Sequence, residues 1–200
     1  MTKVVSTSAL ANLNDHELIR LFQDGNDNAI AILIHRYKSK IFTTIKMLVK
    51  DHYLAEDIFQ ETFIKIVQTL RKNFYADQGK FLPWALRIAH NLCIDHFRRT
   101  KQHVKVITEE GVDITDMFVY TTENAQKNME IYEQQRTIYH LLDTLPLEQR
   151  EVVVMRIYAD LSFKEIAQLT NVSINTALGR MRYGLINLKK TIEEKQLAIR

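Results

Sequence analysis

The chain is poor in the residues that interrupt helices. Five Gly and two Pro in 200 residues leave few places for tight turns, so long uninterrupted helices and little strand are expected. A single Cys excludes a disulfide framework and suits a reducing compartment. No apolar run approaches the ~20 residues that cross a bilayer. Residues 1–14 lack the apolar core and cleavage site of a signal peptide. The chain is therefore expected to be cytoplasmic, without membrane insertion. No GxxxxGK(S/T) loop is present to cradle a nucleotide, and no Ser/His/Asp set or carboxylate pair stands out. No catalysis and no cofactor are expected. The net charge is only +3, so the distribution of charge matters more than its sum.

What is present is ordinary globular composition, 46% hydrophobic and 26% charged, in a length that suits one domain or two small ones. Asp15–Phe22 reads as a short helix closed by Asp24, Gly25 and Asn26. Ala29–Val49 is a longer one, with Tyr37, Ile41, Ile45 and Leu48 on one stripe. A third helix runs from about Leu54 to Arg71, and a fourth from Pro83 to Lys101. From Val106 to Glu123 the periodicity fails, and Glu109, Glu110, Asp113, Asp116 and Glu123 occur without any Lys or Arg. This segment reads as an acidic, flexible linker. Helix resumes over about Asn124–Thr144, stops near Pro146 and continues over Leu147–Tyr158. The fold class is all-α, two small helical domains over 1–105 and 124–200 joined by the linker 106–123.

Leu161–Leu188 reads as helix, tight turn, helix. Ser162 followed by Glu165 is a capping box, and Phe163, Ile166, Ala167 and Leu169 form a buried side. Asn171 tolerates the left-handed turn, and Ser173 caps the second helix. There, Ala177, Met181, Leu185 and Leu188 fall on one side. Asn175, Thr176, Gly179, Arg182 and Tyr183 fall on the other, with Arg180 on the flank. A helix-turn-helix that offers amides, hydroxyls and arginines suits a DNA major groove. Seven Lys/Arg against three acids from Ser162 to Arg200 favour that over an ordinary helical hairpin.

Two faces of the first domain are less specific. The third helix buries Ala55, Phe59, Phe63, Ile66 and Leu70, and opposite them Asp57, Gln60, Glu61, Ile64 and Gln68 form a polar stripe around one isoleucine. Such a stripe is either a partner surface with an apolar anchor or a solvated face. The fourth helix turns Leu86, Ala89, Cys93 and Phe97 inward and Trp84, Arg87, Asn91, Asp95, Arg98 and Arg99 outward. Preceded by a loop with Phe74 and Tyr75, this face suits single-stranded nucleic acid or is an exposed basic helix end. His90, Cys93 and His96 fan across about 120° of that helix without CxxC or HExxH partners. Packing is favoured over a metal site, and no metal is expected.

Together, Ala55–Phe63 (AEDIFQETF), Phe81–Arg99 (FLPWALRIAHNLCIDHFRR) and Leu145–Ala167 (LPLEQREVVVMRIYADLSFKEIA) resemble, in order, motifs of bacterial sigma factors of the extracytoplasmic-function (ECF) class. The resemblance covers about Asn12 to Lys190. It implies a factor that binds core RNA polymerase through its largest and second-largest subunits, recognises promoter −35 and −10 elements and helps open DNA. An anti-sigma protein would be a further partner. By the resemblance, Asp57, Gln60, Glu61 and Ile64 would grip a coiled coil of the largest subunit. Asn73, Phe74, Tyr75, Asp77 and Lys80, with Trp84, Arg87, Asn91, Arg98 and Arg99, would serve the −10 element and melting. Ser173, Asn175, Thr176, Gly179, Arg180, Arg182 and Tyr183 would read the −35 element, and the acidic linker would thread into a channel of the core enzyme. Asn171 stands where family members often carry glycine, and Leu178 near a position that is often basic. Leu178 is read as packing, and Gly179 leaves a hole in the outward face. The rival without polymerase is a stand-alone helix-turn-helix regulator on a palindromic operator.

Overall fold

A computed structural model describes residues 10–72, 75, 80–104 and 136–195, with backbone alone at 101–104, and every regular element among them is a helix. Local chemistry sets the boundaries. Helix α1 (Asp15–Gln23) opens on a full capping box: Asn14 accepts from the Glu17 N–H, and the Glu17 carboxylate accepts from the Asn14 N–H. Gly25, at φ 96°, makes the turn that only glycine adopts freely. Asn26 then caps α2 (Asp27–Val49). That helix stops at Lys50, held left-handed at φ 67°, and Asp51 caps α3 (His52–Arg71) by accepting from the Leu54 N–H. The break between α2 and α3 is thus one residue of left-handed backbone followed at once by a new cap. Helix α4 covers Phe81–Val104, two residues earlier than Pro83 marks it.

After these come α5 (136–143), α6 (Leu147–Ile157), α7 (Phe163–Leu169) and α8 (Ile174–Glu194). The linker 106–123 and the helical stretch expected over 124–135 lie outside the described residues, as do Asn73, Phe74 and Asp77.

Helices α1 to α4 pack around Leu18, Leu33, Ile41, Ile45, Ile66, Leu70, Phe81 and Leu86. Ala55, Phe63, Ile66 and Leu70 of α3 are buried as its periodicity predicts, joined by Ile58 and Thr62. The Thr62 hydroxyl donates to the Ile58 carbonyl at 2.7 Å, so its burial leaves no donor unmade. Phe59 sits at the edge, edge-to-face with Phe42 and Phe63. Helices α6, α7 and α8 pack on one another. The two groups also touch, since α2 packs on α6 and α4 on α7. Met47 of α2 is buried in a cluster with Leu142, Leu145, Val153 and Val154.

Candidate nucleic-acid interface

The helix-turn-helix is built by caps. Both bonds of the Ser162–Glu165 box form, the Ser162 N–H donating to Glu165 at 2.8 Å. Asn171 adopts φ 55°, and the Val172 N–H closes the turn on the Ala167 carbonyl at 3.0 Å. Ser173 then accepts from the Thr176 N–H at 3.1 Å. Its hydroxyl lies 2.9 Å from that of Thr176, so the two act as one unit at the start of α8.

Which side of α8 faces inward departs from the apolar pattern. Ala177 and Gly184 are buried, with Met181 and Leu188 packed beside them, one stripe at i, i+4, i+7 and i+11. Leu185, expected inside, is 47% exposed, and Leu178, read as packing, is 44% exposed. The reason is Gly184. A Cβ there would lie 3.1 Å from Val153 Cγ2, so α6 crosses against nearly bare backbone and the glycine takes the place that hydropathy assigns to Leu185. Outward, Asn175, Thr176, Arg182 and Tyr183 are exposed, and Gly179 and Arg180 are half-exposed. A Cβ at Gly179 would meet nothing within 4 Å, which is the open hole expected of it.

On α4, Arg87, Asn91, Arg98 and Arg99 are exposed; Arg98 lies 3.8 Å from Asp95. The aromatics behave differently from an open stacking loop. Tyr75 is buried and packs edge-to-face on half-buried Trp84 at 4.6 Å, and Trp84 also leans on Phe81. Burial, with the Asp15 charge adding to it, pushes the Tyr75 phenol up. In this conformation Tyr75 and Trp84 form a wall rather than a free platform for bases, because the apolar body of each ring is worth more in the core than in water. Lys80 is exposed and binds Glu165 at 2.7 Å. Burial alone would raise the Glu165 carboxyl, but the hydrogen bonds from Lys80 and Ser162 outweigh it and hold the group below its ordinary value.

On α3, Asp57, Gln60, Glu61, Ile64 and Gln68 are all exposed, Ile64 by 56%, and Glu61 pairs with Lys65 at 3.0 Å. Ile64 is not isolated. It rims a groove of about 660 Å³ whose lining includes Ile34, Phe59, Phe63, Val67 and Arg71. Periodicity within α3 gives the rim but not the groove, because Ile34 comes from another helix.

His90 is buried with Nε2 3.0 Å from Glu151. Burial, reinforced by the Glu151 charge, pushes the buried Cys93 thiol up to about 12. His96 instead meets the Thr100 hydroxyl at 3.2 Å. The three do not converge. Nothing in the pattern announced the pairs His90–Glu151 or Lys80–Glu165, which join residues 61 and 85 apart; the only local signal was Glu165 in its capping box.

A helix-turn-helix carrying arginines, beside a helical unit with its own cationic face, defines a helical DNA-binding protein. Residues 33–103 match the family model of Sigma-70 region 2, and 135–178 that of Sigma-70, region 4. The chain belongs to this family, as an RNA polymerase sigma factor of the ECF class. It is 28% identical to the ECF RNA polymerase sigma factor SigW of Bacillus subtilis over 88% of this chain and 95% of that protein. Identity is also 28% to the RNA polymerase sigma-H factor of Pseudomonas aeruginosa, over 86% and 90%. Among solved structures it resembles CnrH in complex with the cytosolic domain of CnrY (TM-score 0.65, 19% identity, 90% of this chain and 97% of that one). RpoE of Bartonella quintana, solved with the anti-sigma factor NepR, gives 0.64 at 17% identity over 82% and 96%. A sigma factor binds core RNA polymerase, recognises promoter −35 and −10 elements and helps open DNA to start transcription, and the stand-alone regulator is not favoured. Sigma factors are in general not enzymes, and among the described residues no helix is long and apolar enough to cross a membrane.

Proposed function

We propose that the work divides between units at 1–105 and 124–200, joined by the linker 106–123, with the largest polymerase subunit gripped by α3. The observation that carries this is Ile64 exposed among Asp57, Gln60 and Glu61 at the rim of an apolar groove. A helix from a partner can insert an apolar side chain into the groove while its polar flank meets the acids and amide, the arrangement of a hot spot within a polar rim. The test is equilibrium binding of Asp57→Ala/Ile64→Ala to core polymerase, which should lose affinity while keeping its helical content. Binding equal to the parent removes the assignment.

Strand opening is driven by binding free energy. Unstacking a base costs a few kcal/mol, offset by holding bases at the Asn73–Lys80 loop and phosphates on Arg87, Arg98 and Arg99. Asn91 and Trp84 border that path. Asn175, Arg180, Arg182 and Tyr183 read the −35 element, where a bidentate contact discriminates by roughly 1–3 kcal/mol. Ser173 and Thr176 orient the helix end, and Gly179 leaves room for a base edge. Core polymerase fixes both units on one duplex and so raises the effective concentration of the second contact. The free protein should bind promoters weakly, and the holoenzyme tightly. An anti-sigma protein that covers these faces, action in the cytoplasm and absence of catalysis by this chain complete the reading. The structural resemblance to a factor solved with its anti-sigma partner supports the first of these.

A further inference from the structure

We infer that the exposed apolar pair Ile174 and Leu178 reads thymine in the promoter duplex, by packing on C5-methyl groups in the major groove. The inference rests on the assignment of α8 to the −35 element proposed above, and adds to it two side chains that its polar face does not contain. Ile174 is the first residue of α8 and Leu178 lies one turn on; they are exposed by 46% and 44%. Neither anchors the helix, since α8 packs through Ala177 and Gly184 with Met181 and Leu188 beside them. Side chains three and four apart on a helix are neighbours, which sets Leu178 between Asn175 and Arg182, both exposed on the face assigned to DNA. The next residue is Gly179, where even an added Cβ would meet nothing within 4 Å. No side chain at that position holds a base edge away from Leu178.

The chemistry of the groove decides what such a pair can read. Base pairs present hydrogen-bond donors and acceptors there, and thymine adds an apolar group, its C5-methyl. Leucine or isoleucine packed on that methyl removes apolar surface from water on both sides. The same side chain over cytosine covers the N4 donor and offers it no acceptor, which costs free energy. The pair therefore favours thymine and rejects cytosine, a choice that the amides and arginines beside it do not make. One helical turn advances about 5.4 Å, less than two base steps of roughly 3.4 Å. The thymines read by Ile174 and Leu178 are therefore adjacent or separated by one pair. Charge favours DNA over a protein as the occupant, because Arg180 and Arg182 flank the pair and phosphates supply their counter-charge.

Promoters selected from a library by the holoenzyme supply the probe. Each −35 thymine is replaced in turn by deoxyuridine, which lacks only the C5-methyl, and competition binding to the holoenzyme is measured at fixed salt. The parent should lose about threefold at one or two positions no more than two base steps apart. Leu178→Ala should lose the same factor on the unmodified promoter and show no further loss with deoxyuridine at one of these positions. Ile174→Ala should do the same at the other. Any effect of deoxyuridine on the duplex itself would persist in the variants, so the coupling isolates the contact. Should Leu178→Ala melt earlier than the parent, Leu178→Gln repeats the test. A deoxyuridine penalty at no −35 thymine, or one that persists unchanged in both variants, overturns the inference. So does a loss of core polymerase affinity in Leu178→Ala, which gives the pair to a protein partner. Arg180→Ala/Arg182→Ala separates this failure from that of the underlying assignment. If −35 discrimination is unaltered in that variant, α8 is not the reader. If discrimination falls there while the deoxyuridine penalty ignores Leu178 and Ile174, the methyl contact alone is refuted.

Discussion

Helices α3 and α8 both hold apolar side chains out to solvent among polar ones, and what surrounds those side chains differs. On α3, Ile64 borders a groove lined by Phe59, Phe63 and Val67. On α8, Leu178 and Leu185 project from a helix that packs by Ala177 and Gly184 and carries Arg180 and Arg182 beside them. A groove accepts a protruding side chain and suits a protein partner. A projecting helix with cations is itself the protruding body, and the major groove of duplex DNA is wide enough to admit it. On the proposed assignment the same kind of exposed residue serves opposite roles, and perturbing one helix should leave the other's function untouched.

The largest separation should come from Asp57→Ala/Ile64→Ala. Loss of an apolar anchor with its polar rim should weaken core polymerase binding about 100-fold, read by fluorescence anisotropy, with duplex binding by α8 unchanged. The converse is Arg180→Ala/Arg182→Ala. It should leave core affinity intact and reduce discrimination between −35 sequences by about 1–3 kcal/mol, measured as competition by mismatched promoters. The two glycines of α8 sharpen the contrast between its faces. Gly184→Leu must force Val153 aside and should lower the melting temperature by about 5–15 °C. Gly179→Ala meets nothing, removes glycine's helix penalty of about 1 kcal/mol and should raise it, with any cost confined to DNA binding. Smallest is Glu165→Gln. The carboxyl is held below its ordinary value, so its contribution is whole at neutral pH and disappears as pH falls from 4.5 through the lowered value. The variant should match the parent in acid unfolding below that window and be slightly less stable above it, by circular dichroism.

These contrasts also mark how far the chain could be read without coordinates. The helix-turn-helix was legible almost to the residue, because Ser162, Glu165, Asn171 and Ser173 act within three or four positions of themselves. The α3 stripe was legible because periodicity separates two faces of one helix. Leu185 and Leu178 were misplaced because hydropathy cannot register a glycine as a packing residue, and only the 3.1 Å approach to Val153 reveals that it is one. The sequence places Tyr75 in a loop before the fourth helix but does not show that it is buried, which comes from packing on Trp84 nine residues on. The groove at Ile34 and the pairs between the two units were beyond reach, since each depends on which helices meet rather than on any one helix's pattern.

In vitro transcription from a promoter library, with purified bacterial core polymerase in the presence and absence of this protein, tests the central claim most directly. The account predicts initiation from a distinct promoter set only when the protein is added, and loss of that set with Asp57→Ala/Ile64→Ala. A core polymerase that gains no promoter from the protein, while the free protein still shifts DNA, would contradict it.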